Sequence, residues 1–408
     1  MLPNRSSLQT IRNYLDDVLY SLVDLRLSFE VPQSPTGFPR FDALNEKIDQ
    51  LDPIHRSIHR LLRLGLPVRD DDLRASIPAK VIDALRHAGI LILNRDRDWQ
   101  TDGCLLVPID GLLLFVGVPP SYPTASQTCR PWFDLSTFVI ARALPLSLEN
   151  KRVLDVCAGS GVQSLLSARR GAEIVVGLEL DAAAVDIAKK NAVLNALDHR
   201  VEFRVSDGLQ ALRSDETFDF VICNTPYSPT VSSSLRIENT ADVGNIVLMA
   251  MLESLPTHLS ERGQGLLALW RTVGAADWGH HRHVLAERLR GSGITTVAFL
   301  DRAPDTLENV MRIVRQDLIH MIDENEVPAI EAVVRDTLSP AGHEVGFYNE
   351  IISFRRGEAS SAALGSVFGF RMDLPVAGNE TKENHVGTEE QVGSSRFDGS
   401  RSEHGLKK

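Results

Sequence analysis

The spacing of hydrophobic positions along the chain changes character near residue 150. Upstream of that point apolar residues recur at helical intervals. Ile11, Leu15, Val18, Leu19, Leu22 and Val23 predict one amphipathic helix over residues 1 to about 30. Pro32, Pro35, Gly37 and Pro39 then mark a loop. A Leu/Ile stripe over Leu51–Leu66 predicts a second helix, and Ile77–Gly89 a third that stops at a glycine cap. Short apolar runs at Ile90–Asn94, Cys104–Pro108 and Leu112–Val118 predict strands. Downstream, near-continuous apolar runs at Val153–Val156, Ile174–Leu180, Val201–Val205 and Phe218–Cys223 alternate with the helical stretches VQSLLSARRGA and DAAAVDIAKKNAVLNAL. Runs of that kind belong to strands covered on both faces, as in a doubly wound, mostly parallel α/β sheet.

The rest of the chain fits around that sheet. Pro119–Pro131 is a linker by composition, and Phe133–Leu144 predicts a helix capped by Asp134 or Ser136. Leu235–Leu255 and Val284–Leu289 predict helices, Arg262–Trp270 and Ile294–Leu300 strands, and Leu307–Leu338 an acidic helical insert. Phe347–Phe354 alternates as a final, antiparallel strand, and the polar stretch after about residue 376 predicts disorder. The strand pair around Arg95–Gly103 has the layout of a wing, so the front of the chain predicts a small helical, winged-helix-like domain. The expected division is residues 1–120, 121–357 and a tail, 358–408.

Composition removes several classes. A net charge of −11 over 408 residues excludes a protein whose whole surface grips nucleic acid, though not a local basic patch. His55, Arg56, His59, Arg60 and Arg63 cluster on the second helix; that face either meets nucleic acid or is simply solvated. The cysteines, Cys104, Cys129, Cys157 and Cys223, form no C-x-x-C pair and predict reduced thiols in a cytoplasmic protein. No apolar run approaches the roughly 20 residues of a membrane helix, and the first residues lack a signal-peptide layout. WGHHRH, with His280, His281 and His283, lacks a ligand set at zinc spacing, so no metal is expected.

The candidate chemistry sits at the ends of the apolar runs. VLDVCAGSG, residues 153–161, is a strand that breaks into a glycine turn and opens a helix. This arrangement presents backbone N–H groups to a nucleotide-like ligand. Glu179, at the end of the second run, is spaced to accept hydrogen bonds from ribose hydroxyls, and Asp181 suits the N-cap of the next helix. Asp207, in SDG, sits where an exocyclic amine can be accepted. The fourth run delivers Asn224-Thr225-Pro226-Tyr227. An amide nitrogen is a poor nucleophile. An Asn oxygen and the next backbone carbonyl can accept its two N–H bonds and hold its lone pair toward an electrophile, while Pro226 stiffens the loop and Tyr227 offers a stacking face.

In that order and spacing, DVCAGSG, GLELD, SDG and NTPY make residues 130–357 resemble a class I methyltransferase that uses S-adenosyl-L-methionine. The nearest group is the methyltransferase small-domain, HemK-like one. The resemblance implies a cofactor site formed by Asp155, Cys157, Ala158, Gly159, Gly161, Glu179, Asp207 and Asn224. It implies catalytic positioning by Asn224, Thr225, Pro226 and Tyr227. The expected acceptor is a planar nitrogen of a protein glutamine or an RNA base, with a small-molecule amine as the alternative. Thr225 stands where that group carries its first proline, and Cys157-Ala158 where Gly-Cys or Gly-Thr is usual. A nicotinamide-dependent oxidoreductase fits less well, because Ser164 occupies the last glycine position of G-x-G-x-x-G. A non-catalytic module that kept the fold is the third possibility.

Overall fold

The structure, a computed structural model of the chain, describes residues 4–33, 38–119, 122–124, 131, 133, 135–225, 251–274, 294–300, 328, 332 and 345–356. The first part is helical: α1 (Arg5–Asp17), α2 (Tyr20–Glu30), α3 (Phe41–Asp49), α4 (Pro53–Leu62), α5 (Asp70–Ser76) and α6 (Ala79–His87). The single helix expected up to residue 30 is two helices. Leu19 adopts φ +53°, and the Val18 and Leu19 N–H groups turn back to Tyr14 O and Asp16 O. The break redirects the chain so that Tyr20, Asp24 and Leu27 enter the core, while Leu22 and Leu25 stay exposed.

Two hairpins follow. In the first, β1 (Leu91–Leu93) pairs with β2 (Trp99–Thr101), and Val68 bridges Trp99 on the far side. This hairpin follows α4, α5 and α6 in the chain. The second, β3 (Cys104–Ile109) and β4 (Leu112–Gly117), turns through Asp110-Gly111, both at positive φ (45° and 77°), the conformation such a pair favours. It is buried on both faces. Leu105, Val107, Leu114 and Val116 pack in one cluster with Leu165 and Ala188, while Leu106, Leu113 and Phe115 pack in another with Leu8, Ile11 and Ile82. The first part of the chain and the sheet-bearing part therefore share a core.

The helix α7 (Leu135–Ala143) leads into the sheet: β5 (Arg152–Val156), α8 (Val162–Arg169), β6 (Ile174–Glu179), α9 (Ala182–Leu194), β7 (Val201–Val205), β8 (Phe218–Asn224), β9 (Leu259–Gly274), β10 (Ile294–Leu300) and β11 (Val345–Arg356). Strand order is β10-β11-β9-β8-β5-β6-β7. β5 pairs in parallel with β6 and β8, β6 with β7 and β8 with β9, whereas β11 runs antiparallel to both β9 and β10. This is a Rossmann-like doubly wound sheet with an antiparallel insertion near one edge. The chain grows outward from β5 through β6 to β7 and then returns to β8. That reversal opens a crevice at the carboxyl ends of β5 and β8, where ligands bind in such sheets. β9 starts at Leu259, earlier than the alternation suggests, and residues 251–258 form the end of the helix expected before it.

Several expected features lie outside the described residues: Cys129, Asp134, Pro226, Tyr227, 226–250, the WGHHRH stretch, nearly all of the 307–338 insert and everything after 356.

Candidate active site

The turn after β5 has the backbone that its glycines announce. Cys157, Gly159 and Gly161 adopt φ of +62°, +54° and +84°. The Ala158 N–H donates to Leu178 O (2.9 Å) and the Gly161 N–H to Ala158 O (2.8 Å), so the chain folds back before entering α8. A Cβ at Gly161 would stand 2.6 Å from Phe203 Cζ, so only glycine fits there. Cys157 holds a left-handed conformation while carrying a side chain, a strained position of the kind found at ligand sites. Its thiol contacts that of buried Cys223, and this contact together with burial pushes the Cys223 thiol well above its usual range.

Asp155, one residue before the end of β5, is buried. Its Oδ2 accepts a 2.6 Å bond from Ser164 Oγ, and its Oδ1 has no hydrogen-bond partner. Burial pushes the carboxyl up to about 7, against the opposing pull of Ser164. A buried carboxyl oxygen without a partner, near the carboxyl end of β5, fits an amine-bearing ligand group. Ser164 is thus a supporting residue of the site, where the sequence showed only a missing glycine.

Glu179 lies beside the same turn. Its Oε2 accepts the Gly159 N–H (2.8 Å) and its Oε1 the Asp181 N–H (3.0 Å). Each carboxylate oxygen keeps a lone pair for a hydroxyl donor. Asp181 Oδ1 accepts the Ala183 N–H (2.9 Å) and caps α9. Two apolar side chains that the sequence pattern did not single out flank this acid. Leu180 is 68% exposed, and Val205, opposite Glu179 in the β6–β7 register, is 53% exposed. They offer apolar faces to a flat ring. Asp207 follows on the surface, with Oδ2 accepting from Gln210 Nε2 (3.3 Å).

At the end of β8, Asn224 Oδ1 accepts from Ser136 Oγ on α7 (3.1 Å). Thr225 is buried, and its Oγ1 donates to Ala268 O on β9 (2.9 Å). A hydroxyl tether to β9 thus stands in for the stiffness that a proline would give. Asp155, the glycine turn, Glu179, Asp207, Asn224 and Thr225 all come to one edge of the sheet. The basic helix does not join them. His59 and Arg63 are in the core of the first part of the chain, with His59 stacked on Tyr20 (4.5 Å) and Arg63 Nε bonded to Asp24 Oδ1 (2.7 Å). These two side chains are therefore not available to nucleic acid, whereas Arg56 on the same helix stays exposed. A groove of about 270 Å³ near Arg12, Arg169 and Asn195 lies at the carboxyl ends of α8 and α9, away from this edge.

Residues 138–268 match the ribosomal protein L11 methyltransferase (PrmA) family. The match covers the turn, the crevice and strands β5 to β8. The chain carries a class I methyltransferase domain. A protein of Methanocaldococcus jannaschii named for protein N5-glutamine methyltransferase activity is 30% identical over 29% of this chain and 61% of its own length. The tRNA1(Val) (adenine(37)-N6)-methyltransferase of Shewanella baltica is 28% identical over 29% of this chain and 52% of its own. The chain thus spans between half and two thirds of these relatives. The ribosomal protein L11 methylase of Lactobacillus delbrueckii aligns at 17% identity with a TM-score of 0.30, over 41% of this chain and 72% of that one. In this methyltransferase domain the residues fit to hold S-adenosylmethionine are those of the crevice edge: Asp155, Gly159, Gly161, Glu179 and Asp207. No helix among the described residues is long and apolar enough to cross a membrane.

Proposed function

We propose that the chain transfers a methyl group from S-adenosylmethionine to a planar nitrogen, with the side-chain amide of a protein glutamine as the favoured acceptor. The observation that carries this is the placement of Asn224 and Thr225 at the end of β8, across the crevice from the glycine turn on β5. The sulfonium compound supplies an electrophilic methyl group. The chain supplies position and polarity: Asp155 meets the amine, Glu179 the ribose hydroxyls, and Asp207 with the faces of Leu180 and Val205 the adenine. Asn224 Oδ1 and the Thr225 carbonyl accept the two N–H bonds of the acceptor, which aims its lone pair along the S–CH3 axis. Nitrogen forms the new bond as sulfur takes the electron pair of the old one, and the cationic product then sheds a proton to solvent. No strong base is needed before attack, so alignment and fixed dipoles carry the acceleration.

A protein acceptor is favoured over RNA by the surface of the first part of the chain. Arg26 pairs with Glu30, Arg40 with Asp42, Arg60 with Asp49, Arg74 with Asp70 and Arg86 with Asp83. Cations paired in this way offer phosphates less charge than unpaired ones would. The test uses cofactor labelled on its methyl group, incubated with the protein and an extract of cells that lack it. Label should enter protein and be lost with Asn224→Ala, with thermal unfolding to confirm that the variant folds. Label confined to RNA or to small molecules would overturn the acceptor assignment.

A further inference from the structure

Strand β4 belongs to the first part of the chain, yet it reaches the cofactor turn at two points. The first is Asn191, on α9. This side chain is fully buried: its Oδ1 accepts the Phe115 N–H (2.7 Å), and its Nδ2 donates to Phe115 O (2.8 Å) and to Ser160 O in the turn (2.9 Å). The second is Gly117, whose N–H donates to Pro131 O (2.7 Å), and Pro131 in turn lies against Gly159, 3.2 Å from where a Cβ would stand. One helical turn along α9, Asn195 binds β4 in the same way, with Oδ1 accepting the Leu113 N–H (2.9 Å) and Nδ2 donating to Leu113 O (2.7 Å). The two amides sit four residues apart on the helix and meet backbone groups two residues apart on the strand. They act as a neighbouring strand would, satisfying an edge that β3 cannot reach. Only Asn191 extends the link to the turn.

We propose that Asn191 is a positioning residue of the cofactor site, and that through it β4 holds the turn in the shape that admits S-adenosylmethionine. The proposal rests on assigning that turn to the cofactor. The front of the chain is then a built-in wall of the site rather than a docking module on a tether. By reciprocity, cofactor binding tightens β4 as much as β4 tightens the turn. The Ser160 carbonyl is buried, so losing its donor leaves an unpaired group in a segment that must keep its backbone geometry.

The test is the affinity for S-adenosylhomocysteine, measured by calorimetry on the native chain, Asn191→Leu and Asn195→Leu, with thermal unfolding to confirm folding. Asn191→Leu should bind at least about tenfold more weakly, whereas Asn195→Leu, which loses the equivalent strand contacts but none to the turn, should stay within about twofold of native. Equal loss in both variants, or none in Asn191→Leu, would overturn the proposal. Failure of the native chain to bind would instead overturn the methyltransferase assignment. Hydrogen exchange on the native protein gives a reading that needs no variant. S-adenosylhomocysteine should slow exchange at the Phe115 amide while leaving Leu91–Thr101 unchanged, and no slowing at Phe115 would overturn the coupling.

Discussion

Ser164 Oγ donates a 2.6 Å hydrogen bond to Asp155 Oδ2, and both groups are buried beneath the cofactor turn. The first turn of α8 thus supports the acid at the end of β5 with a hydroxyl. Burial raises that acid to about 7, so at neutral pH it is divided between its neutral and charged forms. Ser164→Ala removes the opposing pull and should raise it further. The variant should lose about 1–3 kcal/mol of stability and shift the cofactor-affinity profile to higher pH. Chemical denaturation and calorimetric titration across pH would check the two effects.

The pH dependence of binding has a definite sign. Below pH 7 the Asp155 carboxyl holds a proton that it must release to meet the cofactor ammonium, so affinity should rise as pH climbs from 6 to 8. The slope below 7 approaches tenfold per pH unit. The ligand-free protein runs the opposite way. A carboxyl raised in the folded state contributes stability that is present below its unfolded value of 3.8 and lost as pH rises through 7. Asp155→Asn should flatten both profiles.

Gly161 admits no substitute. Gly161→Ala meets Phe203 Cζ at 2.6 Å with φ held at +84°, and should cost about 2–4 kcal/mol and abolish cofactor binding. Gly89→Ala, also at positive φ (+66°) but away from the crevice and with Lys190 Nζ no nearer than 3.6 Å to the added Cβ, is the control for binding and melting measurements.

The first part of the chain carries its own acid sensitivity. Burial lowers His59 to about 4, with the neighbouring Asp24 opposing the shift. The folded state therefore keeps the ring neutral, and stability is full above pH 6.5 and lost as pH falls toward 4, by about 3 kcal/mol. Asp24→Asn, which leaves the Arg63 guanidinium buried without its partner, should cost about 3–5 kcal/mol at neutral pH. Urea unfolding at pH 7.5 and 5 separates the two effects.

Thr225→Val keeps the shape of the side chain but cuts the bond to Ala268 O. Turnover should fall about tenfold while cofactor affinity stays native, because the tether holds Thr225, whose carbonyl meets the acceptor, and touches nothing in the turn.

The sheet and its ligand edge were legible in the sequence, because the continuous apolar runs, the glycine turn and the acid at Glu179 are local signals with one physical meaning each. The features that escaped depend on tertiary partners. Helical periodicity passes unchanged through a single left-handed residue, so the break at Leu19 left no trace. His59 and Arg63 look like surface cations until Tyr20 and Asp24 supply a stacking face and a counter-charge. Ser164 and Asn191 sit on ordinary helical stretches. Their roles come from Asp155, Phe115 and Ser160, which lie 9, 76 and 31 residues away along the chain.

The most direct measurement identifies the methylated atom. Protein labelled in the extract by isotopic S-adenosylmethionine would be digested and sequenced by mass spectrometry, with the native chain and Asn224→Ala run side by side. The expected result is an isotopic methyl group on the side-chain nitrogen of a glutamine, absent with Asn224→Ala. Methyl groups on oxygen, sulfur or carbon, or equal labelling by the two proteins, would contradict the role assigned to the Asn224 amide.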